Sequence, residues 1–241
     1  MSGHSKWATT HRQKEVKDAK RGAAFTKLAA NITVAVRQGG GIGDPTQNFR
    51  LRLAMDKARE TNMPKENIQR AIDKGTGASG GVQLEEARFE GFLPGGAALL
   101  VEVLTDNKLR TAQQVRTTLE KAGGTMGSLG SVGYLFEQVG EVVVDLEQKS
   151  VDEAELAAID SGAKEVEAEE GRMYVITAHD EVFTVKERLE KQGLRVESAQ
   201  LVMKPTSFVE IESEEKRLSI DDIISKIEEI DEVINTWHNY A

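Results

Sequence analysis

A run of small residues, Gly-Thr-Gly-Ala-Ser-Gly-Gly from Gly75 to Gly81, divides the chain into two parts of opposite charge. Residues 1–80 contain 15 Lys and Arg against 7 Asp and Glu, a net charge of +8, whereas residues 81–241 contain 16 against 33, a net charge of −17. Glycine- and serine-rich segments behave as flexible linkers. The chain is therefore predicted to fold as separate domains, of which the basic first one binds a polyanion, most simply nucleic acid.

Length and composition exclude several other classes. A chain of 241 residues suits two or three domains of ordinary size. It has no cysteine, which excludes disulfides, thiolate metal sites and a thiol nucleophile. No apolar run approaches the roughly 18 residues of a membrane span, and the first residues lack the apolar segment of a secretory signal. No membrane partner is expected.

The basic part is predicted to form a bundle of three helices, because its apolar residues recur at helical spacing. Glycines 39–41 end the first helix, Asn62 and Met63 form a turn, Pro64 begins the third helix and Gly75 closes it. The predicted inward residues are Phe25, Leu28, Ile32, Ala35 and Val36 in the first helix, Leu51, Ala54, Met55 and Ala58 in the second, and Ile68, Ala71 and Ile72 in the third.

The acidic part alternates short strands and helices. Strands are predicted at residues 87–92, 97–105, 134–137, 141–145, 165–169, 173–177, 195–203, 208–211 and 233–237, and helices at 108–122 (with Leu109 facing inward), 151–161, 181–192 and 220–230. The middle of this series has the β-α-β-β-α-β order of a ferredoxin-like fold. The first strands lack elements to cover their own sheet, so the C-terminal tail is expected to return and complete it.

The predicted fold class is therefore multidomain, α and α+β. Residues 1–80 form the basic helical nucleic-acid-binding domain, residues 81–130 with 206–241 form one α+β domain, and residues 131–205 form a ferredoxin-like α+β domain inserted into it. The inserted unit has a net charge of −9 and the tail one of −7. These acidic domains are the candidate surfaces for protein partners.

The candidate nucleic-acid-binding residues are cations of the first domain, together with ring side chains that lie among them. Lys14, Lys17 and Arg21 lie three and four residues apart and share one face if they are helical. Trp7 suits either stacking on a base or anchoring the opening arm to the bundle. The full set is Lys6, Trp7, His11, Arg12, Lys14, Lys17, Lys20, Arg21, Lys27, Arg50, Arg52, Lys65 and Arg70. A solvated helical face is the alternative interpretation of the same cations.

The second and third helices resemble a helix-turn-helix in outline, since the connection between them is short and the third helix carries side chains that reach base edges. Those side chains are Lys65, Asn67, Gln69, Arg70 and Lys74. The turn lacks the usual glycine, and a three-helix bundle without DNA function has the same pattern. Both interpretations stay open.

No active site can be assembled from the sequence, and a binding protein without catalytic residues, cofactor or metal is expected. His4 and His11 have the only spacing that suggests a metal pair, and the paired acids lie on polar helix faces or turns. The glycine cluster at residues 39–44 is a helix stop, because a phosphate loop needs a preceding strand. The turn 105–108 with Arg110 either holds a phosphate or caps the next helix.

Taken together, these residues resemble the YebC family, bacterial proteins related to the mitochondrial translational activator of cytochrome c oxidase. The motifs that carry the resemblance are Gly3-His4-Ser5-Lys6-Trp7, Asp18-Ala19-Lys20-Arg21-Gly22, Phe25-Thr26-Lys27-Leu28, Asp44-Pro45, Arg50-Leu51-Arg52-Leu53-Ala54, Asn62-Met63-Pro64-Lys65-Glu66-Asn67-Ile68, Phe89-Glu90-Gly91, Pro94-Gly95-Gly96, Leu104-Thr105-Asp106-Asn107, Gly123-Gly124 and Gly130-Ser131-Val132. They span nearly the whole chain.

The resemblance implies a cytoplasmic protein with an N-terminal helical domain and two α+β domains, the third inserted in the second. It implies a nucleic-acid-binding regulator of gene expression, generally described in bacteria as a probable DNA-binding transcriptional regulator. The alternative, associated with the mitochondrial relatives and some bacterial ones, is a ribosome-associated translation factor that binds ribosomal RNA and relieves stalling at stretches such as consecutive prolines.

Neutralising Lys14, Lys17 and Arg21 together is expected to weaken nucleic-acid binding for every sequence tested. The slope of log affinity against log salt should fall by about three contacts, at about 0.9 per contact on duplex DNA. A salt titration measures this slope, and an unchanged slope removes these residues from the site.

Overall fold

The computed structural model describes residues 21–78, 84–146, 150–169 and 171–241, with side chains in the first range described from residue 25. Within these residues the chain forms seven α-helices, one 3₁₀-helix and two four-stranded antiparallel sheets. The predicted mixed α and α+β class is confirmed.

The basic part contains helices α1 (Arg21–Gln38), α2 (Phe49–Glu60) and α3 (Lys65–Thr76). Asn48 caps α2 by accepting a 3.1 Å hydrogen bond from the Leu51 amide. The glycines after α1 include Gly40 and Gly41 with positive φ, as a helix stop requires. One apolar core joins the three helices, and its largest buried members are Leu28, Ile32, Val36, Leu51, Met55, Met63, Ile68 and Ile72.

Two details of α3 differ from the sequence prediction. Pro64 is the N-cap rather than the first helical residue, and the helix continues past Gly75 to Thr76 before Gly77 ends it in the left-handed conformation. Gly75 has a packing role instead, because a Cβ built on it would lie 2.6 Å from the Val36 Cβ of α1. This glycine allows α1 and α3 to approach each other.

The first sheet contains β1 (Glu85–Phe92), β2 (Ala98–Thr105), β3 (Thr125–Met126) and β8 (Val233–His238), in the order β3-β1-β2-β8. Helices α4 (Lys108–Lys121) and α7 (Glu214–Glu228) supply its apolar cover. Strand β8 pairs antiparallel with β2, with Leu99 opposite His238. The C-terminal tail therefore returns to the sheet that β1 and β2 begin.

The second sheet contains β4 (Phe136–Asp145), β5 (Glu165–Glu169), β6 (Arg172–Ala178) and β7 (Arg195–Pro205), in the order β5-β6-β4-β7. Helices α5 (Val151–Ser161) and α6 (Val182–Lys191) connect β4 to β5 and β6 to β7 and pack on the sheet. Phe136 pairs with Pro205, so the chain enters and leaves this unit at adjacent positions.

The strands predicted at 134–137 and 208–211 need correction. Residues 133–135 form a 3₁₀-helix, and the two strands predicted at 134–137 and 141–145 are one continuous strand, β4. Gly140 does not interrupt β4, because the strand is hydrogen-bonded on both sides, to β6 and to β7. Residues 208–211 form a single bridge, Val209 to Tyr240, instead of a strand.

Two helix predictions also need correction. Helix α7 begins at Glu214 rather than Ile220, because the hydroxyl of Ser213 caps it by accepting a hydrogen bond from the Lys216 amide. Leu109, predicted to face inward, is 84% exposed. The inward position in the first turn of α4 belongs to Thr111, whose hydroxyl is 2.8 Å from that of Thr105.

Glu90 of β1 holds the segment that joins the two sheets. Its buried carboxylate accepts hydrogen bonds from the backbone amides of Gly130 (2.8 Å), Val132 (2.6 Å) and Gly133 (2.8 Å). Burial acts to raise the pKa of Glu90, but these amides outweigh it and the pKa is lowered from its ordinary value of 4.5. The motifs Phe89-Glu90-Gly91 and Gly130-Ser131-Val132, which are far apart in the sequence, thus contact each other.

Replacing Glu90 with Gln should lower the free energy of unfolding by about 2 kcal/mol, because the amide nitrogen of Gln turns a donor toward backbone donors. Urea denaturation measures the loss. Glu85→Gln, an exposed change on the same strand, is the matched control and should stay within about 0.5 kcal/mol. Equal effects of the two changes would contradict the role of Glu90.

The loss caused by Glu90→Gln should also depend on pH. A carboxylate with a lowered folded-state pKa stabilises the protein above its unfolded pKa of 4.5, and this contribution disappears as the pH falls through the folded-state value. The difference in stability between the wild type and Glu90→Gln should therefore narrow below pH 4.5. A constant difference down to pH 3 would contradict this explanation.

Candidate nucleic-acid interface

Most of the predicted arm lies outside the described residues. This applies to Lys6, Trp7, His11, Arg12, Lys14, Lys17 and Lys20, and Arg21 begins α1 with a side chain that is not among those described. The structure locates the remaining five predicted contact residues, Lys27, Arg50, Arg52, Lys65 and Arg70. These five occupy three different environments.

Helix α2 belongs to the basic bundle, and its outer side packs against the second sheet. Leu53, only 5% exposed, joins the apolar core of that sheet and its helices, and Phe49 packs against the same core. Beside them the Arg52 guanidinium carbon lies 4.2 Å from the centre of the Phe183 ring, within the range of a cation–π interaction. Arg52 also donates to the carbonyl oxygens of Pro45 (2.9 Å) and Thr46 (3.1 Å).

Polar side chains extend this contact along α2. Lys186 of α6 lies 2.9 Å from the Asp56 carboxylate, and Lys57 donates to the Gln200 side chain of β7 at 2.6 Å. Gln200 in turn donates to Glu141 at 3.0 Å. One face of α2 is therefore a protein contact, and Arg52 and Lys57 lie within it.

Arg50 and Lys27 are half-buried. Arg50 donates to the Gln38 side chain of α1 at 3.2 Å, and its guanidinium lies 5.5 Å from the Phe49 ring. Burial lowers the pKa of Arg50, and the nearby Glu86 carboxylate opposes that shift. The guanidinium keeps its charge at neutral pH, because even a lowered arginine pKa lies far above 7.

Helix α3 presents exposed cations. Lys65, Arg70 and Lys74 are all exposed, at the start, middle and end of the helix. Arg70 donates to the Asn67 side chain at 2.7 Å and to the Glu66 carbonyl at 3.3 Å, which orients its guanidinium along the surface. The accessible predicted contact residues among the described side chains are thus concentrated on α3.

The turn between α2 and α3 is built around Asn62. Its φ is +59°, in the left-handed region that glycine usually occupies. The next residue, Met63, is buried in the bundle core, and its amide donates to the Ala58 carbonyl at 2.9 Å. Asparagine tolerates this conformation better than most residues, so the turn forms without glycine.

The other candidate sites are structural. The Asn107 side chain caps α4 by accepting a 3.0 Å hydrogen bond from the Arg110 amide, and the Arg110 guanidinium pairs with Asp106 and Glu232. This confirms the capping interpretation of the turn 105–108. No group of acids and histidines in the described part of the chain could hold a metal ion. No helix found there is long and apolar enough to cross a membrane.

Comparison with known proteins identifies the family. The model of the TACO1/YebC N-terminal domain matches residues 5–78, and that of the TACO1/YebC second and third domain matches residues 84–240. The chain belongs to the TACO1/YebC family. The resemblance inferred from the sequence motifs is confirmed.

Relatives in this family match along almost their full length. The chain is 45% identical to a probable transcriptional regulatory protein of Thermoanaerobacter pseudethanolicus, over 99% of this chain and 96% of that protein. It is also 45% identical to a probable transcriptional regulatory protein of Geobacillus kaustophilus, over 99% of this chain and 97% of that protein. The crystal structure of the conserved hypothetical protein Aq1575 from Aquifex aeolicus matches with a TM-score of 0.84 and 42% identity, covering 93% of this chain and 91% of that one.

The contact between α2 and the second sheet escaped the sequence prediction. One signal for it was present, because Leu51 and Leu53 lie two residues apart and so face different sides of a helix. Leu51 is buried in the bundle and Leu53 in the second unit. A helix with two apolar sides packs between two cores.

Asn62 offers a test of the turn. Asn62→Gly should leave the stability nearly unchanged, whereas Asn62→Ala should cost about 1 kcal/mol, because alanine carries the steric penalty of the left-handed conformation without the local hydrogen bonds of asparagine. Thermal unfolding of both variants measures the difference. A neutral Asn62→Ala would show that the turn relaxes to another conformation.

A double-mutant cycle tests the contact made by α2. The coupling energy between Asp56 and Lys186, measured with Asp56→Asn and Lys186→Met, should be about 1 kcal/mol, because both side chains are mostly shielded from water. The matched pair is Asp222 and Lys226 of α7, both more than half exposed, with an expected coupling below about 0.5 kcal/mol. Equal couplings would mean that α2 is not held against the second sheet in solution.

Proposed function

We propose that this protein is a nucleic-acid-binding regulator of gene expression and that its target is DNA, as in a transcriptional regulator. The names of its relatives, probable transcriptional regulatory proteins, support this proposal. The observation that carries it is the exposure of three cations on α3, Lys65, Arg70 and Lys74, in the basic part of an otherwise acidic chain. Exposed cations on a single helix suit a phosphate backbone.

The proposed interface combines α3 with the arm residues. Because one face of α2 is occupied by the second sheet, α2 does not lie along the nucleic acid as the first helix of a helix-turn-helix does. Helix α3 is the element that approaches the phosphates, and the cations from Lys6 to Arg21 extend the positive surface. Arg52 has a positioning role, since it fixes α2 against Phe183.

The proposed domain organisation assigns the remaining roles. Residues 1–80 bind nucleic acid in the cytoplasm, and residues 81–130 with 206–241 form the α+β domain that carries the inserted unit 131–205. The strand order β5-β6-β4-β7 supports a ferredoxin-like fold for the inserted unit. The acidic units would be repelled by a polyanion and so face away from it.

Neutralising Lys65, Arg70 and Lys74 to Gln should weaken DNA binding and reduce the salt slope by about two to three contacts, at about 0.9 per contact. The matched control is the same change in charge on α4, in Lys108, Arg116 and Lys121, which are exposed cations outside the basic part. The control should keep the wild-type slope. If both triple variants lose affinity equally, α3 is not the contact surface.

Crosslinking in cells followed by sequencing identifies the natural target. Recovery of promoter DNA that is lost with the α3 variant supports the transcriptional proposal. If ribosomal RNA is recovered instead, and is lost with the α3 variant, the target is the ribosome rather than DNA and α3 is still the interface. Failure to recover either nucleic acid with the wild-type protein overturns the proposal.

A further inference from the structure

Helix α5 has an arrangement of side chains that is the reverse of an ordinary amphipathic helix. The residues that it buries are small, namely Ala154, Ala158 and Ser161. Its two largest central side chains point to solvent, with Leu156 65% exposed and Ile159 60% exposed. Exposed large aliphatic side chains grouped together mark a surface that another molecule covers more often than scattered ones do.

Close packing against α6 explains why the buried side carries small residues. Arg188 of α6 donates to the Ser161 carbonyl at 3.0 Å, and Gln192 donates to the Ser161 hydroxyl at 3.2 Å. Ala154 and Ala158 fill the core beneath the helix, next to Val182 and Val185. Rotating the helix to bury Leu156 and Ile159 would force large side chains into this filled space.

The charged residues of α5 itself are all acidic. Successive residues turn by about 100° around a helix, so Leu156 and Ile159, three residues apart, are neighbours on one face. Asp152, Glu153 and Asp160 are exposed around them, and the helix contains no Lys or Arg. We call the surface formed by Asp152, Leu156, Ile159 and Asp160 the α5 face.

We propose that the α5 face is a docking surface for a protein partner that presents a cationic amphipathic helix. The aliphatic pair supplies the apolar centre that such a helix covers, and the acids supply a rim that matches lysines and arginines on its borders. A nucleic acid does not fit, because its phosphates meet only carboxylates here. A second α5 face does not fit either, since it would bring like charges together.

This docking surface adds a function beyond nucleic-acid binding and is independent of it. The basic bundle contacts the unit through α2 against β7 and α6, with Leu53 in the core and Asp56 paired to Lys186. Neither contact uses the α5 face. A variant of this face should therefore bind nucleic acid as the wild type does, which separates failure of one proposal from failure of the other.

The test uses the full chain and a fluorescein-labelled synthetic helix of 16 residues with leucines on one side and lysines on the other, followed by fluorescence anisotropy. The wild type should bind the peptide saturably, and Leu156→Ser with Ile159→Ser should weaken binding about tenfold or more, because two apolar anchors are lost. Asp152→Asn with Asp160→Asn should weaken binding and reduce its salt dependence.

The matched control is Leu218→Ser, which removes another exposed leucine, 64% exposed, from the acidic helix α7. It should leave the affinity for the peptide unchanged. All of these changes lie on the surface, so unfolding midpoints should match that of the wild type. Equal loss in the control and the Leu156→Ser, Ile159→Ser variant would assign the binding to non-specific attraction by exposed apolar side chains and overturn the proposal.

Two other results would also overturn it. One is a wild-type protein that does not bind the peptide. The other is sedimentation showing a concentration-dependent dimer that Leu156→Ser with Ile159→Ser abolishes, because this face would then be the contact between two copies of the chain.

Discussion

The packing of α2 against the second sheet decides which positive charges of the basic part face solvent. Leu53 enters a core that does not belong to its own bundle, and Asp56 meets Lys186 beside it. Since these contacts occupy one side of α2, Arg52 and Lys57 are used within the protein. Among the described cations of the basic part, those of α3 and Arg59 of α2 are exposed.

The same contact links a basic unit to an acidic one. The polar contacts across it include the Asp56–Lys186 ion pair, the hydrogen bond from Lys57 to Gln200 and the cation–π contact of Arg52 with Phe183. They surround the apolar side chains of Phe49 and Leu53. Partly shielded polar pairs contribute orientation more reliably than stability. The acidic unit thereby fixes the direction in which α3 points.

The hydrogen bonds of Glu90 also make the segment between the two sheets rigid. A glycine-rich segment is entropically costly to order, and three of its amides donate to one buried carboxylate. Glu90 therefore fixes the entry to the second unit, and the Phe136–Pro205 pairing places the exit of the chain beside that entry. Docking of a protein helix on α5 would occur on a unit that is already fixed relative to α3.

Local pattern was sufficient for most of the elements. The sequence predicted α5 as 151–161 and β5 as 165–169 with the bounds that the structure has, because capping residues and apolar spacing act over a few neighbours. It also located the basic part, the motifs of the family and the cations of α3. It failed for residues 208–211, where Val209 bridges to the distant Tyr240, and for Leu109, because Thr111 takes the inward position in that turn.

The tertiary structure alone decided which side chains make contacts within the protein and which remain exposed. The sequence determined that the first eighty residues are basic and predicted three helices within them, because charge and apolar spacing are properties of the residues themselves. Only the fold placed Phe183 beneath Arg52, Lys186 beside Asp56 and three distant amides around Glu90. Such contacts join residues separated by tens to more than a hundred positions, and no local pattern specifies which surfaces meet.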